Sequence, residues 1–241
     1  KITTSQGITY LDAVSGASRS DKLVLRNVEA IEFSDKVVSL EIADLYINTP
    51  SKDNLDGGPG IDTVVYDKPI SNYVVSLGVN GIEVSSANYS EGSDWLLNIE
   101  RLQFKDKSLA FDLDGHAGTA AKTLGLVFGL SSVYLPNYVG ICLDLLDNKA
   151  YTPEQLMQAA LNVRLGADAL DPGKVVDFLY SQLTGGGLPS PSDKAAYVDL
   201  ILNKTYSIEG LAVAAAELPL NPVEPSLMGL ATSGLPFILP S

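Results

Sequence analysis

The sequence predicts an α+β protein. Residues 1–114 read as strand units, antiparallel and roll-like, in two copies of a repeat of about 71 residues, and residues 115–241 read as an all-α region of helical hairpins. Short alternating runs rich in Val, Ile and Tyr dominate up to Asp114, and apolar residues at helical spacing follow it. The repeat is the third observation. Asn27-Val28-Glu29-Ala30-Ile31-Glu32-Phe33-Ser34-Asp35-Lys36 matches Asn98-Ile99-Glu100-Arg101-Leu102-Gln103-Phe104-Lys105-Asp106-Lys107 without a gap. Such self-similarity means one supersecondary unit used twice, paired or stacked to share a core, and both arrangements stay open.

Taken in order, the strand runs are residues 8–11, 22–25, 37–40, 63–66, 73–77 and 81–84, separated by Gly, Asn, Asp and Ser. Asn80-Gly81 between two of them signals a tight hairpin. Beyond Asp114, Ala120, Leu124, Val127 and Phe128 fall on one helical face, as do Tyr138, Ile141, Leu145 and Leu146. These stripes read as core rather than as cofactor sites. Thr152-Pro153-Glu154-Gln155 has the pattern of a capping box, and Asp171-Pro172 and Ser190-Pro191 read as further helix starts. Gly166, residues 185–187 and Gly210 read as stops, giving five to seven short helices. After Lys204 there is no Lys or Arg, and the apolar end is expected either to dock on its own helical domain or to contact a neighbour.

The net charge of −13 argues against a nucleic-acid partner, which needs clustered Lys and Arg. No apolar run is long enough to span a bilayer. Cys142 is the only cysteine, which fits either a reducing cytosol or export by a route that never relied on disulfides, and its apolar surroundings read as structural. With no Met and no hydrophobic leader at Lys1, the chain reads as part of a larger product. His116 is the only histidine, and no G-x-S-x-G, H-E-x-x-H or P-loop pattern is present, so no catalytic residue is expected.

One motif carries chemistry. Gly57-Gly58-Pro59-Gly60-Ile61-Asp62-Thr63-Val64-Val65 fits the nonapeptide G-G-x-G-x-D-x-U-x, where U is a large apolar residue. Its glycines allow positive φ and turn carbonyl oxygens toward one point, and Asp62 adds a carboxylate. Hard oxygen donors of this kind suit Ca²⁺. Asp53 and Asp56 in the preceding Asp53-Asn54-Leu55-Asp56 read as the end of a degraded turn and as extra donors. The expected metal set is therefore Asp53, Asp56, Gly58, Gly60 and Asp62, with Ca²⁺ as the cofactor. Asp112-Leu113-Asp114-Gly115 opens like an EF-hand, but His116 and Thr123 stand where acidic ligands are needed, so Asp114 is read as a helix cap.

On these residues the chain resembles the C-terminal portion of bacterial RTX (haemolysin-type calcium-binding) secreted proteins. The resemblance rests on residues 57–65, on the segment 98–104 leading to Leu113-Asp114-Gly115, and on the helical region, notably 121–129 and 227–234. It implies a non-catalytic structural and secretion module of a larger secreted or cell-surface protein, exported through type I secretion machinery by a C-terminal signal from about residue 205. A self-assembling surface-layer or filament subunit, touching itself or cell-surface components, is the first alternative. An accessory module of a secreted hydrolase with its catalytic domain upstream is the second.

Overall fold

A computed structural model divides the chain into two compact units, Lys1–Ser108 and Leu109–Ser241. It describes residues 43–78, 81–88 and 92–240, together with the backbone of five strands within the first 42 residues. The class is mixed α+β, strands N-terminal and helices C-terminal, as the change of hydrophobic period required.

In the first unit, β1 (Ile2–Ser5), β2 (Ile8–Asp12) and β3 (Lys22–Arg26) form an antiparallel meander, and β4 (Ala30–Glu32) pairs antiparallel with β5 (Val37–Ser39). Of the first repeat copy, residues 27–29 and 33–36 lie outside the described residues. Three very short strands follow: β6 (Leu45–Ile47), β7 (Asn54–Asp56) and β8 (Thr63–Val65). Their starts, at residues 45, 54 and 63, recur every nine residues. Because each nine-residue step carries the chain to the other sheet, β6 pairs in parallel not with β7 but with β8, Leu45 opposite Thr63. A second antiparallel meander comes next, β9 (Tyr73–Gly78), β10 (Gly81–Ser86) and β11 (Ser93–Leu97), and then β12 (Arg101–Gln103). β11 lies parallel to β7, Leu96 opposite Leu55, and β12 lies parallel to β8, Leu102 opposite Val64. The β9–β10 pairing closes at Gly78 and Gly81, so Gly81 opens β10, while residues 79 and 80 of the connection lie outside the described residues.

Alternation explains which side chains point inward. Ile82, Val84 and Ser86 of β10 are buried while Glu83 is exposed, the period-2 pattern of a sheet with one wet face. Val64, Leu96 and Leu102 are all but inaccessible. Beside them Tyr66, Tyr73 and Phe104 form a trio, with ring centroids 4.8, 5.1 and 5.5 Å apart. Burying side chains of this size contributes roughly 1.5–3 kcal/mol each. Trp95 is half-buried, its ring lying on the face of Gly78, where a Cβ would come within 2.3 Å of it.

The boundary at Leu109 falls within β13 (Ser108–Ala110), and the second unit continues through α1 (His116–Phe128), α2 (Pro136–Leu143), α3 (Pro153–Leu165), α4 (Pro172–Thr184), α5 (Pro191–Leu202), α6 (Ile208–Ala216) and α7 (Glu224–Ser233), ending in β14 (Leu235–Phe237). Capping signals place the helix starts. The Thr152 and Gln155 side chains exchange hydrogen bonds with each other's backbone N–H, and the side chains of Asp171 and Ser190 accept from Lys174 and Asp193 N–H. Two expectations need correction. The residue that caps α1 is Asp112, whose carboxylate accepts from Ala117 N–H at 3.2 Å, because the helix begins at His116 and not directly after Asp114. Gly210 is no stop; it sits in the first turn of α6 and donates its N–H to the Ser207 hydroxyl at 3.0 Å.

The stripe on α1 is core, with Ala120, Leu124 and Val127 buried. On α2 the inward face is Val139, Cys142 and Leu143, continuing to Leu146, whereas Tyr138 and Ile141 are about half exposed. Helical spacing gave two adjacent stripes there, and the chain used the one rotated by a residue. The C-terminal end docks on its own unit. Leu235 and Phe237 of β14 join the core cluster of Val139, Leu143 and Leu230, and Ile238 N–H donates to the Pro136 carbonyl at 3.0 Å. Gly140 makes this approach feasible, since a Cβ there would lie 1.7 Å from the Ile238 carbonyl oxygen.

Candidate metal turn and its carboxylate ladder

The nine-residue recurrence puts an aspartate just ahead of each short strand: Asp44 before β6, Asp53 before β7 and Asp62 before β8. Parallel pairing then sets equivalent positions side by side. Asp44 N–H donates to Asp62 Oδ1 at 2.6 Å, Asp62 N–H to Glu100 Oε2 at 2.9 Å, and Asp53 N–H to Asp94 Oδ1 at 3.0 Å. Each accepting carboxylate thus caps an N–H at the head of a neighbouring strand, a charge-assisted bond that offsets part of the cost of burial. Asp62 is 0% exposed and Asp94 3%.

The two buried carboxylates differ in surroundings. Asp94 also accepts from the Tyr66 hydroxyl at 3.1 Å, on the edge of the aromatic trio. Burial there raises its carboxyl above the usual 3.8, against the opposing pull of Asp53 N–H and the Tyr66 hydroxyl. Desolvation, followed by the nearby Asp94 charge, raises the Tyr66 phenol far above its ordinary 10.0.

The glycines of the nonapeptide are each demanded by local geometry. Gly58 and Gly60 have φ of 74° and 143°, in the region that side chains avoid. A Cβ on Gly57 would stand 2.2 Å from the Asn98 carbonyl oxygen and 2.7 Å from the Asp62 carboxylate beneath it. Asp56 Oδ1 accepts from Gly58 N–H at 3.2 Å and from Asn98 Nδ2 at 2.7 Å, which straps the turn to the segment after β11. Asp53 is occupied on its own turn, its carboxylate accepting from Thr49 N–H at 3.1 Å and from the Thr49 hydroxyl at 2.9 Å.

Of the expected metal residues, Asp56, Gly58, Gly60 and Asp62 therefore belong to one turn, while Asp53 lies at the head of β7 and is bound to Thr49 and Asp94. Among the described residues no group of three or more His, Cys, Asp or Glu side chains converges to hold a metal ion. The donor chemistry of the turn nonetheless suits a hard cation: oxygen atoms only, with one buried carboxylate and backbone carbonyls on a glycine loop. Asp44, Asp94 and Glu100 were missed at the sequence level. For Asp44 the signal was available as Asp at 44, 53 and 62, followed two residues later by Tyr46, Leu55 and Val64, whereas Asp94 and Glu100 act from 41 and 38 residues away and carried no local signal.

The second unit holds two groups with reactive potential. His116 Nδ1 lies 2.7 Å from Asp147 Oδ1, tying the start of α1 to the wide helical turn after α2. Cys142 is buried, and desolvation pushes its thiol up to about 12, so it stays protonated at neutral pH. Among the described residues no helix is long and apolar enough to cross a membrane. No protein family, no curated protein and no solved structure shows a significant match to the chain.

Proposed function

We propose that the chain is a non-catalytic structural and secretion module of an RTX-type protein that is secreted or held at the cell surface, with a β-roll as its organising element. The observation that carries this reading is the nine-residue recurrence of β6, β7 and β8, each preceded by an aspartate, with β6 paired to β8 across the intervening β7. Nonapeptide repeats build such a roll because two short strands and two glycine-compatible turns make one coil.

The same reading includes a duplicated unit. β3, β4 and β5 span 22–26, 30–32 and 37–39, and β11, β12 and β13 span 93–97, 101–103 and 108–110. Each strand of the second set ends at the same offset from its counterpart as Asn98 has from Asn27. Both copies also open with a three-stranded antiparallel meander.

Calcium is the cofactor of this proposal, held by Asp62 and by carbonyl oxygens of residues 57–60; when bound it would supply positive charge beside a buried carboxylate and so favour the folded turn. At a hundred times its Kd, a ligand of the native state alone adds about 2.7 kcal/mol. Melting of the chain in millimolar Ca²⁺ is expected to lie about 5 °C or more above melting in excess chelator. Asp62→Asn keeps an oxygen for Asp44 N–H but removes the charge, and the Ca²⁺-induced rise should vanish in it. Superimposable melts of the natural chain would eliminate the cation and leave a metal-free scaffold held by its carboxylate ladder.

A second reading, a self-assembling surface-layer subunit, is favoured by β6. Among the described residues it is an edge strand, and Leu45 and Ile47 on it are 66% and 68% exposed. Under that reading sedimentation velocity shows concentration-dependent association that Ile47→Lys abolishes; a monomer at all concentrations, with and without Ca²⁺, rules it out.

A further inference from the structure

In the helical unit α5 is apolar yet packed against little. From Ala195 to Leu202 only Asp199 is charged, and the rest are Ala, Tyr, Val, Leu and Ile. A helix of this composition ordinarily buries at least one face. No residue of α5 is buried, and none belongs to the core cluster of Val175, Leu179, Ala212 and Ala216 that α4 and α6 share.

The reason is that its inward face meets space. A cleft of about 330 Å³ opens between α4, α5 and α6. Val176 and Leu179, 3% and 4% exposed, form its floor. Tyr197 and Leu200 of α5 line one side, and Leu211 and Ala215 of α6 line another. No charged residue lines the cleft, and the only polar side-chain groups in its walls are the phenols of Tyr180, Tyr197 and Tyr206. The nearest turn of each helix carries the clamp between them: Lys194 Nζ stands 2.5 Å from Asp177 Oδ2, three residues before Tyr197 and Tyr180 respectively.

We propose that this cleft binds a small neutral molecule with an aliphatic body and one hydroxyl-type head, held between α4 and α6 and covered by α5. Volume sets the size of the occupant. Small-molecule sites run from roughly 300 to 1,000 Å³ and form between packed helices, whereas a partner's helix, about 10 Å across, has no room among three helices of one unit. The walls set its chemistry. An aliphatic body supplies the contacts that Tyr197 and Leu200 lack while they face a gap. The phenols exchange hydrogen bonds with the head. A charged head is disfavoured, because it would lose water with no counter-charge to meet: Lys194 and Asp177 already neutralise each other. The site lies wholly in the helical unit and rests on neither calcium nor export.

Octanol is the probe, titrated calorimetrically into the full chain. It is expected to bind saturably and to slow amide exchange across residues 191–202 by about tenfold, because a filled cleft holds α5 in place. Leu200→Trp and, separately, Ala214→Leu put side-chain atoms into the space, and each should weaken octanol binding by about tenfold or more with unchanged far-ultraviolet circular dichroism. Octanoate, the same chain with a charged head, should bind about tenfold more weakly than octanol. Absence of saturable heat overturns the proposal, as does binding that both filled variants retain. Equal affinity for octanoate, or slowed exchange elsewhere but not in 191–202, overturns it too. Protection of 191–202 that rises with protein concentration in the absence of octanol would assign the apolar residues of α5 to a second copy of the chain, against the proposal.

Discussion

Phe237→Ala is expected to destabilise the helical unit by about 3–5 kcal/mol, the usual cost of emptying a buried aromatic site. The ring is 4% exposed and belongs to the cluster of Val139, Leu143, Leu156 and Leu235. Little can move in to fill the space, because Gly140 already brings α2 to the limit of approach at Ile238. Urea unfolding followed by far-ultraviolet circular dichroism measures it directly, with the m-value as a check that the unfolded state is unchanged. A loss below about 1 kcal/mol would show that β14 adds nothing to the core. The result bears on export as well. Under the proposed function the terminal segment is also the secretion signal, so deleting it removes core side chains and address together. Substitutions at Met228, which is 83% exposed, separate the two roles because they leave packing alone.

Much of this architecture was legible in the sequence, because its signals were local. The change of period near Asp114, the box at Thr152 and Gln155, and the strand runs at 63–66 and 73–77 depend on residues a few positions apart, and each appears where expected. What escaped depended on contacts across the chain. β6 and β7 hold three residues each, too few for any periodicity, and they exist because β8 and β11 lie alongside them. The carboxylate ladder escaped for the same reason: Asp94 and Glu100 reach Asp53 and Asp62 from 41 and 38 residues away. Tyr138 and Ile141 fit a helical stripe, yet only tertiary packing could decide that the neighbouring stripe, Val139 with Cys142, turns inward.

The hydrogen bond from Tyr66 to Asp94 should make the β unit sensitive to alkali in a way that one substitution removes. Tyr66 is 1% exposed and packs edge-on against Tyr73 and stacked on Phe104, so Tyr66→Ala is expected to cost about 3–5 kcal/mol. Tyr66→Phe keeps the ring and loses only the bond to a buried carboxylate, about 1.5–3 kcal/mol at pH 7. Its pH dependence has a definite sign. Folding raises the Tyr66 phenol above its unfolded value of 10.0, so above that pH the native chain holds a proton the unfolded chain has released. Stability therefore falls as pH rises, by about 1.4 kcal/mol per unit from this one group. Asp94 is shifted in the same direction, so its contribution is fully present below 3.8 and is lost as pH climbs through the raised native value. In a titration from pH 7 upward Tyr66→Phe starts less stable than the natural chain and loses stability more slowly. The two unfolding curves should cross between about pH 11 and 12, where two units of phenol titration, about 2.7 kcal/mol, match the lost hydrogen bond. Curves that stay parallel to pH 12 would mean that the Tyr66 phenol ionises as freely in the folded chain as in the unfolded one.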